Sequence, residues 1–346
     1  MTRAMAGIKN FAKMRAWLEA QPVLYVFCSL FPFCFFMSAC NRSPEYYLER
    51  GNRLALSGRA GDSIEMYNKS ILLNERYPEA LTSRGMVYEK LGDRQKAKYD
   101  YERAISVAPA YAPAYNNLAA LYMDVGDYKE AVKRLSTVLE FNPAYAYALL
   151  NRGMARYMLS DYNGAMSDLS KAIESDPKLE LAYYRRALCS DRLGYQSAAL
   201  SDLDLFISAN PGVAAGWFER GRLKYNKKDY SGAVEDFKKA VELNPGAAAY
   251  LYWRAMALTA AGRCEEALPD LELALKMAPV YVQAWLLKGD IYARMKTPDY
   301  ARESYSKALE IDPDNARLYK ARIAVLSRPA AVPVKNRTDN GVKDRS

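Results

Sequence analysis

The sequence predicts an all-α fold of eight helix-turn-helix units, each 34 residues long, stacked in a row and closed by one further helix. Three observations predict it. Prolines recur at Pro109, Pro143, Pro177, Pro211, Pro245, Pro279 and Pro313, every gap being 34 residues. A fixed period of this size marks a repeat architecture. Each period holds two helical patterns, parted near a glycine in LGD, VGD, RLG or AAG and closed at an Asn-, Asp- or Ala-Pro step, where proline disfavours helix in the residue before it. One such hairpin cannot bury its own apolar face, so neighbours must stack.

Residues 1–39 come first. Lys9, Lys13 and Arg15 precede an apolar run from Pro22 to Met37, which ends in two small residues and Cys40. A basic flank, an apolar stretch and a small-residue site read as an export signal. The alternative is an uncleaved single-span anchor, because residues 22–40 are just long enough to cross a bilayer, although Pro32 interrupts them. Translation from Met14 would give a more typical leader. Residues 40–43 form a short linker.

Residues 44–315 hold the eight copies. Projected back from Pro109, the period lands on Glu75, so the first copy lacks the proline. Position 8 of each copy is small: Gly51, Gly85, Ala119, Gly153, Ala187, Gly221, Ala255 and Gly289. Position 20 is also small, being Ser63 in the first copy and alanine in the rest. These positions are expected where the two helices cross. Position 24 carries larger apolar residues, from Tyr67 and Tyr101 to Tyr305. Arg at position 7 accompanies Asp at position 23 in five copies: Arg84/Asp100, Arg152/Asp168, Arg186/Asp202, Arg220/Asp236 and Arg254/Asp270. Copy three loses both, with Leu118 and Arg134, whereas copy one keeps Arg50 opposite Met66. A ladder of partly exposed ion pairs is expected, each worth about 0–1 kcal/mol; two independent solvent-facing preferences are the alternative. Residues 316–328 read as an amphipathic capping helix ended by Pro329. Residues 329–346 show no helical or strand period and read as a disordered tail.

Composition narrows the function. The net charge of +9 sits at the ends, since residues 44–315 hold 36 basic and 37 acidic residues. A basic stripe of the kind nucleic acid requires is therefore not expected. The chain has no histidine, which removes Ser-His-Asp and Cys-His catalysis and every His-containing metal site. The five cysteines contain no CxxC pair, and Cys189 and Cys264 are too far apart in the repeat row for a bridge to be expected. No phosphate loop or nucleophile elbow appears. Neither an enzyme nor a cofactor or metal site is expected.

Copies such as AYNNLAALYMDVGDYKEAVKRLSTVLEFNP and GWFERGRLKYNKKDYSGAVEDFKKAVELNP resemble the tetratricopeptide repeat. The resemblance implies a right-handed superhelical solenoid with a concave groove lined by positions 2, 5, 9 and 12 of each first helix. Carried onto copies four to seven, it implies a protein-binding strip of Tyr147, Leu150, Met154, Tyr157, Tyr184, Leu188, Phe218, Arg222, Tyr225, Tyr252 and Met256, with Leu181, Asp191, Ala215, Ala249 and Thr259 between them. Packing of these aromatics on the molecule's own inner wall is the competing reading. Copies two and three are more polar there, with Glu79, Thr82, Glu89 and Asn116. The Lys/Asn clamp that some relatives use for chaperone tails is not reproduced, because no position 5 is lysine. The leader in turn resembles a bacterial lipoprotein signal, which implies cleavage before Cys40 and lipidation of its thiol. Met37 stands where that family usually has leucine. Together these resemblances imply a membrane-tethered scaffold for protein or peptide partners in the cell envelope, facing the periplasm. Asn41 favours the outer membrane in a two-membrane bacterium. A groove binding glycan or a small ligand, or a regulatory subunit of an envelope enzyme, is the alternative.

Overall fold

The computed structural model describes residues 42–326. The export signal, Cys40, the last two residues of the expected capping helix and the tail lie outside them. The described residues fall into two compact units, 42–155 and 156–326.

The fold is all-α, as the period predicts, with seventeen α-helices and no strand among the described residues. The first four copies supply α1 (Pro44–Leu56) and α2 (Ala60–Leu73), α3 (Pro78–Lys90) and α4 (Arg94–Val107), α5 (Ala112–Asp124) and α6 (Tyr128–Phe141), and α7 (Ala146–Met158) and α8 (Tyr162–Ser175). The last four supply α9 (Glu180–Arg192) and α10 (Gln196–Ala209), α11 (Ala214–Asn226) and α12 (Tyr230–Leu243), α13 (Ala248–Ala260) and α14 (Cys264–Met277), and α15 (Val282–Arg294) and α16 (Pro298–Ile311). A short 3₁₀ turn, Pro313–Asn315, leads into α17 (Ala316–Leu326). Helices α1–α6 pack in sequence order in the first unit, and α8–α17 do so in the second.

Local chemistry sets these bounds. Asp93, Asp127, Asp161 and Asp229 cap second helices by accepting a hydrogen bond from the backbone N–H three residues on, which satisfies an otherwise unpaired donor. One residue earlier lies the turn that the glycines mark, and Gly92 is left-handed there at φ 81°. Ser160, Lys228 and Lys296 occupy the same turn at φ 63°, 66° and 59°, a conformation that a side chain disfavours.

Inside the hairpin, position 8 meets position 24. A Cβ on Gly51 would lie 2.5 Å from the Tyr67 ring, and on Gly85 2.6 Å from that of Tyr101. Gly221 and Gly289 stand in the same way against Phe237 and Tyr305. All four aromatics at position 24 thus face glycine. Copies five and seven combine Ala187 with Leu203 and Ala255 with Leu271, each pair in a common core cluster. Ring volume is matched by the missing methyl, as close packing requires. The alanines of position 20 are fully buried beside this contact.

Four of the expected ion pairs form with their carboxylates buried rather than exposed. Arg84 grips Asp100 through two hydrogen bonds of 2.8 and 2.6 Å, Arg186 grips Asp202 at 2.8 and 2.8 Å, and Arg220 grips Asp236 at 2.9 and 2.6 Å. Arg254 holds Asp270 likewise, at 2.7 Å. The four carboxylates are buried, so the exposed-pair value does not apply. Loss of one partner of a buried pair costs about 3–5 kcal/mol. The free guanidinium nitrogen reaches the preceding copy: Arg84 donates to Asn68, Arg186 to Ser170 and Arg220 to Asp204. These three arginines therefore join their own hairpins to the one before. In copy three, Arg134 turns instead to Glu130 on its own helix, at 2.7 Å.

At the C-terminal end, α17 lies on α16. Tyr319 is buried and donates to Asp312 at 2.6 Å, and Asp290 receives both the Tyr305 hydroxyl and Arg322.

Candidate protein-binding face

The expected strip is divided between the two units. In residues 42–155, Tyr147 is exposed with its ring 6.1 Å from that of Tyr145, Met154 is half-buried, and Leu150 is buried. Leu150 presents almost no surface to a partner.

In residues 156–326 the strip residues pack on one another. Phe218 of α11 stacks on Tyr250 of α13 at 4.6 Å and meets Phe237 at 5.7 Å. Trp253 sets its edge against Phe218 and Tyr225, at 6.1 and 5.8 Å. Tyr252 lies 5.0 Å from Tyr281, and Tyr184 lies 5.0 Å from Phe206. Offset and edge-on rings at these distances add about 0.5–1.5 kcal/mol each beyond their burial. Tyr157 rests on Tyr162 at 5.3 Å. Leu188 and Met256 are half-buried, Ala215 is half-buried, and Leu181 and Ala249 are exposed. Thr259 is buried, its hydroxyl donating to the Ala255 carbonyl at 2.7 Å.

Arg222 is not a free cation. It donates to Asp191 on α9 at 2.7 Å and to Glu219 at 2.9 Å, so it ties α11 to α9. Burial raises the phenol pKa of Tyr184, Tyr225 and Tyr250, and pushes that of Tyr252 up to about 12. These rings stay neutral and present apolar faces with hydroxyl tips.

Sequence reasoning missed four members of the cluster: Tyr250, Trp253, Tyr281 and Phe206. Trp253 left a signal. It is the single aromatic residue at position 6, where the other copies carry Glu49, Ser83, Asn117, Asn151, Arg185, Glu219 and Leu287. Tyr281 recurs at position 34 with Tyr77, Tyr111 and Tyr145, so nothing distinguishes it from ordinary repeat packing.

Both cysteines of the second unit are free thiols. Burial pushes the Cys189 pKa up to about 11, which makes it a poor nucleophile. Among the described residues no group of His, Cys, Asp and Glu is placed to hold a metal ion, and no helix is long and apolar enough to cross a membrane.

Comparison with known proteins follows from this geometry. Family models described as tetratricopeptide repeat match residues 89–153, 147–178, 197–248, 218–279 and 252–316. A stretch of 65 residues is 37% identical to Hsp70-Hsp90 organizing protein 2 of Arabidopsis thaliana, and covers 19% of this chain and 11% of that relative. The chain thus spans about a tenth of that curated relative's length. Among solved structures, a tetratricopeptide repeat protein from Parabacteroides merdae is similar with a TM-score of 0.51 and 19% identity, over 72% of this chain and 99% of the other. The Pseudomonas aeruginosa pilF structure gives a TM-score of 0.55 and 18% identity, over 61% and 96%. These two likenesses concern the fold.

Proposed function

Because the chain belongs to the tetratricopeptide repeat family, we propose that it is a protein–protein interaction scaffold whose partners dock on the aromatic face of α9, α11 and α13. The observation that carries this reading is the cluster of Phe218, Tyr250, Tyr252 and Trp253, half-buried and interlocked, with exposed Leu181 and Ala249 at its edge. Rigid aromatic surface that is already packed loses little freedom on binding, and such residues dominate interface energetics. The neutral phenols add hydroxyl groups that fix a peptide's orientation.

The scaffold is tethered in a bacterial envelope in this reading. Cys40 carries the lipid, and the repeats face the periplasm, with the outer membrane preferred on account of Asn41. The sequence pattern of residues 1–40 supports this reading. More than one acyl chain is needed for lasting attachment, which a lipoprotein modification supplies.

A pull-down from envelope extract tests the docking face. The intact chain is compared with one carrying Tyr184→Ala, Phe218→Ala and Tyr252→Ala, both checked for helix content by circular dichroism. Loss of specific partners from the folded variant is expected. Equal recovery of the same proteins would remove this face as the docking site. For the tether, labelled palmitate is expected in the intact chain and absent from Cys40→Ser, and equal labelling would remove the lipid anchor.

A further inference from the structure

A cleft lies at the first copy, which carries two alanines where two later copies carry a pair of rings. In copies four and six, positions 12 and 17 are both tyrosine. Tyr157 and Tyr162 lie 5.3 Å apart, and Tyr225 and Tyr230 lie 5.4 Å apart. Each pair spans the turn between the two helices of its hairpin. In copy four the pair is also held by the next copy, whose position-13 cation, Arg192, donates to the Tyr157 hydroxyl at 3.2 Å.

Copy one has Ala55 and Ala60 at those positions. Beside them a cleft of about 570 Å³ opens between the end of α1, the start of α2 and the facing side of α3, within the range typical of ligand sites. Its lining is mainly apolar. Leu56 is 89% exposed and Met86 54%, values that are high for side chains bordering a cleft. Tyr67 lies at its floor with its hydroxyl already donated to Asn52.

The cation of the tyrosine arrangement is still there. Position 13 of copy two is Lys90, at the rim of the cleft, and it makes no ion pair among the described residues. One copy further on, the same notch is polar and carries both signs of charge, with Lys90 and Arg94 beside Glu89 and Asp124, and Arg94 lies 3.8 Å from Asp124. Lys90 thus stands between an apolar cleft and a polar one.

We propose that this cleft receives a tyrosine side chain from a partner peptide, followed by an acidic residue. The ring takes the volume that Tyr157 and Tyr162 fill in copy four. The phenol oxygen accepts from Lys90, as Tyr157 does from Arg192, and the acidic residue meets the same Lys90 ammonium, since Arg94 is already paired with Asp124. The site is separate from the aromatic face of α9, α11 and α13.

The test uses the full chain with isotope-labelled methionine methyls and the acetylated, amidated tetrapeptide Ser-Tyr-Asp-Ser as probe. The Met86 methyl signal, assigned by Met86→Leu, reports the cleft. A saturable shift is expected, weakened about tenfold when Phe replaces the peptide's Tyr or Lys its Asp, in line with loss of a charge-assisted hydrogen bond. Ala55→Tyr with Ala60→Tyr fills the cleft and is expected to abolish the shift. Lys90→Glu, an exposed substitution that leaves the packing intact, is expected to weaken binding about tenfold or more. An unmoved Met86 signal at high peptide concentration would overturn the proposal, including the case in which residues 1–41 already occupy the cleft. So would equal binding by the intact chain and Lys90→Glu. The triple alanine variant at Tyr184, Phe218 and Tyr252, one in each of copies five, six and seven, is expected to leave this titration unchanged, so failure of one site is distinguishable from failure of the other.

Discussion

Helices α1 and α11 are both 13 residues long, and each is followed by a left-handed residue, Gly58 after the first and Lys228 after the second. Their surfaces nonetheless differ. Around α11, Phe218 and Tyr225 interlock with Tyr250 and Trp253 of the next first helix. Around α1, Ala55 and Leu56 leave a cleft against α3. The backbone period is shared, so side-chain volume at a few positions decides whether the surface between neighbouring copies is closed or open. A repeat protein can therefore carry two kinds of site on one scaffold without changing its fold.

The largest expected effect tests the frame common to both regions. Asp236→Ala removes the buried carboxylate that Arg220 and Lys224 both bind and leaves Arg220 only its contact with the exposed Asp204. A loss of about 3–5 kcal/mol is expected from urea unfolding. Arg134→Ala in copy three, where the ladder is absent, breaks only a part-exposed helix pair with Glu130 and is expected to cost about 1 kcal/mol or less. Similar costs for the two would show that the buried pairs do not hold the hairpins together.

Truncation separates the closed and open surfaces directly. Trp253→Ala removes a ring held by four aromatic neighbours, Phe218, Tyr225, Phe237 and Tyr252, and about 3 kcal/mol is expected. Leu56→Ala is expected to change stability by about 0.5 kcal/mol or less. A large cost at Leu56 would mean the cleft is covered.

Gly85→Ala places a methyl against the Tyr101 ring and is expected to cost about 1–3 kcal/mol. Adding Tyr101→Leu restores the Ala/Leu combination of copies three, five and seven, so a thermal melt is expected to recover part of the loss. A double variant no better than Gly85→Ala would refute the volume match.

The aromatic face also predicts a pH dependence. The folded pKa of Tyr252 is about 12, raised first by burial, against about 10 for an exposed phenol. A group whose pKa is raised on folding contributes stability in full below its unfolded value and loses it as pH rises towards the folded one. Stability should thus be level from pH 7 to 9 as far as Tyr252 is concerned and fall between about pH 10 and 12. Tyr252→Phe should flatten part of that fall. One expected effect is a gain: Lys228→Gly relieves a left-handed residue at φ 66° and is expected to add about 1 kcal/mol.

Much of this was legible in residues alone. The proline period fixed the number and phase of hairpins, and the joint loss at Leu118 and Arg134 pointed to the Arg–Asp pairing. The match of glycine at position 8 to an aromatic at position 24 was also written in the sequence, at 51/67, 85/101, 221/237 and 289/305, but only contact shows that the two positions meet. The proposed docking face was half legible. Phe218, Tyr225 and Tyr252 follow from repeat phase, whereas Leu150 is buried at the same phase, and Arg222 is consumed by Asp191 and Glu219.

The sequence by itself determined the helices and their order, because turn, cap and proline signals act on neighbouring residues and need no partner. Tertiary structure alone decided which of the repeated side chains are surface and which are core, whether the Arg–Asp pairs are exposed or buried, and that two alanines in copy one leave a cleft. Burial and cavity volume depend on what the adjacent copy brings across the gap, and no single copy contains that information.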